Sequence, residues 1–139
     1  MREQGFISVF VLCMILLLQI FSLAFMGMMQ REEKILTIFG DGVQAQALAE
    51  EGAQKAYFCL AEREAVQITL KSKGDQAIGL VQAEDAEVGG TYAGDALYDT
   101  AKQEYLVMGT GIFRKQKGQI FLHVVADEHG ALQIDRWER

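Results

Sequence analysis

Gly5 is the first residue whose type and place could serve chemistry. Only four residues precede it, and directly after it begins an uninterrupted apolar run, Phe6 to Met29, so the Gly5–Phe6 bond is a candidate point of cleavage. Further along, Glu84, Asp85, Glu87, Asp95 and Asp99 lie among glycines, and clustered carboxylates of this kind can offer calcium its oxygen ligands. They lack the D-x-D-x-D-G register, so a solvated acidic loop is the expectation. His123 alternates within an expected strand and His129 sits in an expected turn. Neither has the paired-ligand spacing of a zinc site. Ser8 and Ser22 fall inside the apolar run, and no G-x-S-x-G, P-loop or G-x-G-x-x-G motif is present. The expectation is therefore a chain without catalysis, cofactor or metal.

These residues are positioned by one dominant element. Phe6–Met29 is 24 residues long, has no charge or proline, and carries only Ser8, Gln19 and Ser22 as polar members. About 20 apolar residues at ~1.5 Å each cross the ~30 Å of hydrocarbon in a bilayer. A backbone in lipid finds no water to satisfy its polar groups, so the run is expected to form one transmembrane helix. Ala24, Gly27 and the neighbouring methionines do not form an A-x-A cleavage site on the far side of the run, so the apolar stem is expected to stay in the mature protein.

From Gln30 to about Glu64 the chain is rich in helix formers. Ala45, Leu48, Ala49, Gly52, Ala53, Ala56 and Leu60 recur at three- and four-residue spacing, which predicts one amphipathic face of unusually small side chains. Such a face lets another backbone approach closely, and suits a helix lying on a sheet or bundled with copies of itself. Gly40-Asp41-Gly42 interrupts this segment. Each glycine costs about 1 kcal/mol in a helix interior, so a kink or an unwound turn is expected there.

Beyond Ala65 the period changes. Ala65–Lys71 alternates with β-branched residues and predicts a strand, with a turn at Lys73-Gly74-Asp75-Gln76. Ala77 to Thr100, acidic and glycine-bearing, predicts loop with at most one short strand. Glu104–Phe113, Gln119–Ala126 and Ala131–Trp137 predict three strands joined by Lys115–Gly118 and Asp127–Gly130 as an antiparallel meander. The fold class expected is α+β: a long N-terminal helix packed on a small C-terminal antiparallel sheet. Residues 1–5 would form a leader, 6–29 the transmembrane helix, 30–64 its amphipathic continuation and 65–139 a β-rich domain outside the membrane.

Met1-Arg2-Glu3-Gln4-Gly5 followed by Phe6-Ile7-Ser8-Val9-Phe10 resembles the class III signal of type IV pilins and pseudopilins. In that family a prepilin peptidase cuts after the glycine and N-methylates the new first residue, which here would be Phe6. Most major pilins carry glutamate at the fifth mature position, where this chain has Phe10. In this respect it resembles PilX-type minor pilins and K-type tip pseudopilins, which also lack that acid. The stretch Gln44–Ala56 is similar to the alanine-rich segment that follows the membrane part of PilX-type proteins. The resemblance implies a pilin fold and a minor structural subunit of a type IV pilus, a type II secretion pseudopilus or a competence pseudopilus. It further implies as partners other pilins or pseudopilins, the prepilin peptidase and an inner-membrane assembly platform, with the C-terminal domain outside the cytoplasm. The alternative is an uncleaved single-pass membrane protein whose small ectodomain binds a partner.

Charge bears on partners as well. The chain has 13 basic and 19 acidic residues; Arg2 and Glu3 precede the apolar run, so 12 and 18 lie beyond it. That acidic excess speaks against nucleic-acid binding, and the cluster Arg114, Lys115, Lys117 is expected to be a solvated hairpin tip. Arg2 lies on one side of the run and Arg31 and Lys34 on the other, so charge alone does not orient it. Cys13 and Cys59 would stand ~69 Å apart on a continuous helix, against the ~6 Å a disulfide needs, so no intramolecular disulfide is expected.

Overall fold

The computed structural model describes residues 2–139, with side chains from Ser8 onward. A chain without proline, rich in leucine within its apolar run and in alanine and glutamate from Ala45 onward, forms one α-helix, α1, over Arg2–Glu62. Contacts divide the chain into two units, Met1–Ile38 and Phe39–Arg139. The described residues of the first are all helical, and its side chains from Ser8 onward are exposed. The helical assignment runs unbroken through Gly40, Asp41 and Gly42, so the unwound turn expected there is not seen.

The second unit begins with the remainder of α1 and continues through a short helix, α2 (Glu64–Lys73), and five strands: β1 (Ile78–Asp85), β2 (Gly90–Asp99), β3 (Glu104–Phe113), β4 (Gln116–Ala126) and β5 (Leu132–Glu138). Arg63, extended at φ −118° and ψ 95°, separates the two helices. Gln67 Nε2 donates at 2.9 Å to the Leu60 carbonyl, one of those the end of α1 leaves without a helical partner. α2 carries Glu64 in its first turn and Lys71 and Lys73 in its last, which suits the helix dipole, and stops at Gly74 in the left-handed region at φ 63°.

α2 corrects the strand expected at Ala65–Lys71. Val66 and Leu70, four residues apart, turn toward the sheet, whereas Ile68 between them is 67% exposed. In a strand all three would have shared a face, so burial follows the helical period. The loop expected over Ala77–Thr100 is corrected as well, since it holds both β1 and β2. Neighbouring strands pair antiparallel in the order β1-β2-β3-β4-β5. β3 has the predicted bounds, and β4 and β5 differ from prediction by three residues or fewer.

Aspartates shape three of the four connections. Asp85 Oδ1 accepts from the Glu87 and Val88 N–H groups, Asp99 Oδ1 from Ala101 and Lys102, and Asp127 Oδ1 from His129 and Ala131, at 2.8–3.1 Å. The β3–β4 turn is the pair Arg114-Lys115, with Arg114 at φ 52°.

The core lies between one face of the sheet and the helices. From the sheet come Tyr105, Val107, Ile120, Leu122 and Val124, from the helices Ala49, Ala53, Ala56, Leu60 and Leu70, all essentially inaccessible to water. A smaller cluster of Ala45, Leu48, Tyr92 and Phe113 extends it toward the start of the second unit. The arrangement is α+β, an apolar helix whose later turns pack on an antiparallel sheet, and is compatible with a pilin-like fold.

Candidate functional site

Among the described residues, α1 is the one helix long and apolar enough to cross a membrane, and none of its apolar window is buried in the protein. Phe10, Ile15, Leu16, Phe21, Leu23 and Phe25 are each half or more exposed. A soluble core helix of this composition would bury such side chains, so this surface calls for an apolar environment that the rest of the chain does not supply. Gly5 and Phe6 lie in the helical backbone of α1, and their side chains are outside the described residues. Phe10 is 57% exposed, so an apolar ring faces outward at this position. Beyond the uncharged run Ile35, Leu36, Ile38, Phe39 and Val43 are also exposed, among the charges of Arg31 to Lys34.

The small-residue face of α1 is committed to the sheet. Ala45, Leu48, Ala49, Gly52, Ala53, Ala56 and Leu60 are all buried, as the spacing predicts. Opposite them the sheet presents glycines on its inner face. A Cβ on Gly109 would strike the Ala49 carbonyl oxygen and come within 2.7 Å of the Ala53 Cβ; one on Gly94 would strike the Gly52 carbonyl oxygen; one on Gly111 the Ala45 carbonyl oxygen. Gly118 would meet the same Ala45 oxygen at 2.6 Å, and a Cβ on Gly52 would meet the Ala93 oxygen at 2.6 Å. Helix backbone thus lies directly on sheet backbone, closer than any side chain allows. Sequence reasoning found the helix half of this seat and missed the other. The signal was present as Gly90, Tyr92, Gly94, Ala96 and Tyr98 at every second residue, and again as Gly109 and Gly111.

Polar ties pin the edges of the seat. Arg114 Nη1 contacts Asp41 Oδ1 at 3.1 Å, Arg139 Nη2 contacts Glu50 Oε1 at 3.0 Å, and Tyr57 donates to the Leu132 carbonyl at 2.9 Å. Lys55 lies 2.6 Å from Glu51 and also donates to the Tyr92 hydroxyl. These two partners hold its ammonium above the ordinary lysine range. Arg114, in the basic cluster expected to form a solvated hairpin tip, is 63% open to solvent and also makes the contact with Asp41.

His123 is buried, at 5% exposure. Its Nδ1 lies 2.9 Å from Glu104 Oε1 on β3 and its Nε2 3.2 Å from Glu138 Oε2 on β5. Both ring nitrogens thus face carboxylates, and the ring joins three strands. His123→Leu is expected to leave Glu104, 13% exposed, with only Lys102 at 3.7 Å, and to cost about 2 kcal/mol. Glu138→Gln, at a side chain 66% exposed, is expected to cost less than about 1 kcal/mol. Urea unfolding of the detergent-solubilised chain, followed by the fluorescence of Trp137, measures both.

His129 lies exposed in the β4–β5 turn. The five acids considered for calcium are not gathered: Asp85 closes the β1–β2 turn and Asp99 opens the β2–β3 turn, at opposite ends of β2. No group of three or more potential metal-ligating side chains occurs among the described residues. Cys13 is exposed and Cys59 half-buried, and both are free. No family model, curated protein or solved structure matches this chain.

Proposed function

We propose that this chain is a minor pilin or pseudopilin, a subunit whose work is assembly and not chemistry. The observation that carries this reading is the outward-facing, uncharged stretch of membrane length in α1, in a helix whose later turns are seated backbone to backbone on an antiparallel sheet. On this reading the prepilin peptidase cuts between Gly5 and Phe6 and methylates Phe6. The stretch Phe6–Met29 then waits in the inner membrane with the C-terminal domain outside the cytoplasm. On assembly, burial among the helices of other pilins or pseudopilins replaces burial in lipid, a like-for-like exchange of apolar contacts that an uncovered helix permits. Phe10 offers no carboxylate to the terminal amine of a neighbouring subunit, which favours a low-abundance or tip position over a repeating one. The acidic ectodomain supports no role for nucleic acid.

Fractionation tests it. In cells with an intact assembly platform, part of the chain is expected in the sheared-filament or periplasmic-filament fraction, crosslinkable to other pilins. In cells without the platform all of it is expected in the membrane. A chain that stays in the membrane and crosslinks to no pilin in both would overturn the proposal in favour of a plain single-pass anchor.

A further inference from the structure

Gly40 and Gly42 stand in α1 without any of the usual structural reasons for glycine. Neither has the positive φ that Gly74, Gly89 and Gly130 adopt. A Cβ on either would meet nothing within 4 Å, whereas Gly52, in the same helix, is pressed against Ala93. Their remaining physical effect is to weaken the helix, and Asp41 between them is itself a poor helix former. Tertiary packing does little to compensate, because the first buried residue on this side is Ala45. The single side-chain tie recorded on these three residues is the Arg114–Asp41 pair, with guanidinium nitrogen at 3.1 and 3.5 Å from the two carboxylate oxygens. Arg114 is delivered by the tight β3–β4 turn, in the left-handed region, with its guanidinium 5.2 Å from the centre of the Phe113 ring. That ring belongs to the buried cluster of Ala45 and Leu48, so the arm holding Asp41 is anchored one turn further along the helix it grips.

We propose that Gly40-Asp41-Gly42 is a latched break point in α1: a turn built to open locally, held helical by Arg114 reaching from the β3–β4 hairpin. The division between the chain's two units falls at Ile38/Phe39, beside this turn. The inference does not depend on the assembly role, since a single-pass anchor would carry the same latch. The Arg114 side chain is 63% open to solvent and that of Asp41 19%, so ionic strength reaches and weakens the latch.

Hydrogen exchange on the full chain in detergent micelles, read in peptides covering residues 38–45, tests this. Arg114 lies outside the helix, so Arg114→Ala removes the latch without changing helix propensity. It is expected to speed exchange in that window about threefold and to leave the window covering residues 49–60 unchanged. Salt at 1 M is expected to reproduce the change in the native chain and to add nothing in the variant. Gly40→Ala with Gly42→Ala is expected to slow exchange there about 30-fold. Exchange over residues 38–45 already as slow as over residues 49–60 in the native chain would overturn the proposal. So would a native chain indifferent to both salt and the loss of Arg114.

Discussion

Gly109→Ala is expected to destabilise the Phe39–Arg139 unit severely. One methyl group would fall on the Ala49 carbonyl oxygen, 2.7 Å from the Ala53 Cβ and 2.8 Å from the Ala53 nitrogen, and two of those three atoms are backbone of a helix pinned along its length. Overpacking ordinarily costs about 1–3 kcal/mol because side chains can shift. Here the helix must lift off the sheet, which opens the Gly94 and Gly111 contacts too, so a loss of about 4 kcal/mol or more is expected against a total of about 5–15 kcal/mol for a small domain. Gly42→Ala is the matched contrast. Its methyl group meets nothing, and it is expected to stabilise by about 1 kcal/mol. Urea titration of Trp137 fluorescence distinguishes the two, and equal midpoints would mean that helix and sheet do not lie this close.

The second large effect lies in the membrane stretch. Leu17→Arg with Phe21→Arg places two charges near the middle of Phe6–Met29, at side chains 52% and 73% exposed. Each arginine at the centre of a spanning helix costs about 2.5–3.5 kcal/mol on insertion scales, so about 5 kcal/mol together. The variant is expected to leave the membrane pellet on carbonate extraction, or to be degraded, while Leu17→Ile with Phe21→Leu stays in it. Retention of the arginine variant would show that something other than this stretch holds the chain to the membrane.

The same contrast between the two halves of α1 explains what could be read from sequence. The face from Ala45 to Leu60 was legible because burial on a helix repeats every three to four residues and no glycine or polar residue broke the pattern except Gly52, itself small. β3 was legible to the residue because Tyr105, Val107, Gly109, Gly111 and Phe113 alternate with more exposed neighbours. Ala65–Lys71 was misread because seven residues hold too few turns to separate a period of two from one of four: Val66 and Leu70 fit both, and only the exposure of Ile68 decides. β2 was hidden by the glycines that the seat requires. In isolation Gly90 and Gly94 read as breakers, and their meaning depends on a helix about forty residues away in sequence. Of the candidate site, the apolar stretch was plain in sequence. The partners of His123 were not, since Glu104 and Glu138 meet it only through strand register across β3, β4 and β5.

An outward-facing apolar helix can be satisfied by lipid or by other helices, and the two are distinguished by what happens to the N-terminus. The most direct measurement is the N-terminal mass of the membrane-extracted chain from cells with and without an active prepilin peptidase. A chain beginning at N-methylated Phe6 only when the peptidase is active is the result predicted. An intact Met1 in both samples would contradict the assembly role and leave a single-pass anchor with a small ectodomain.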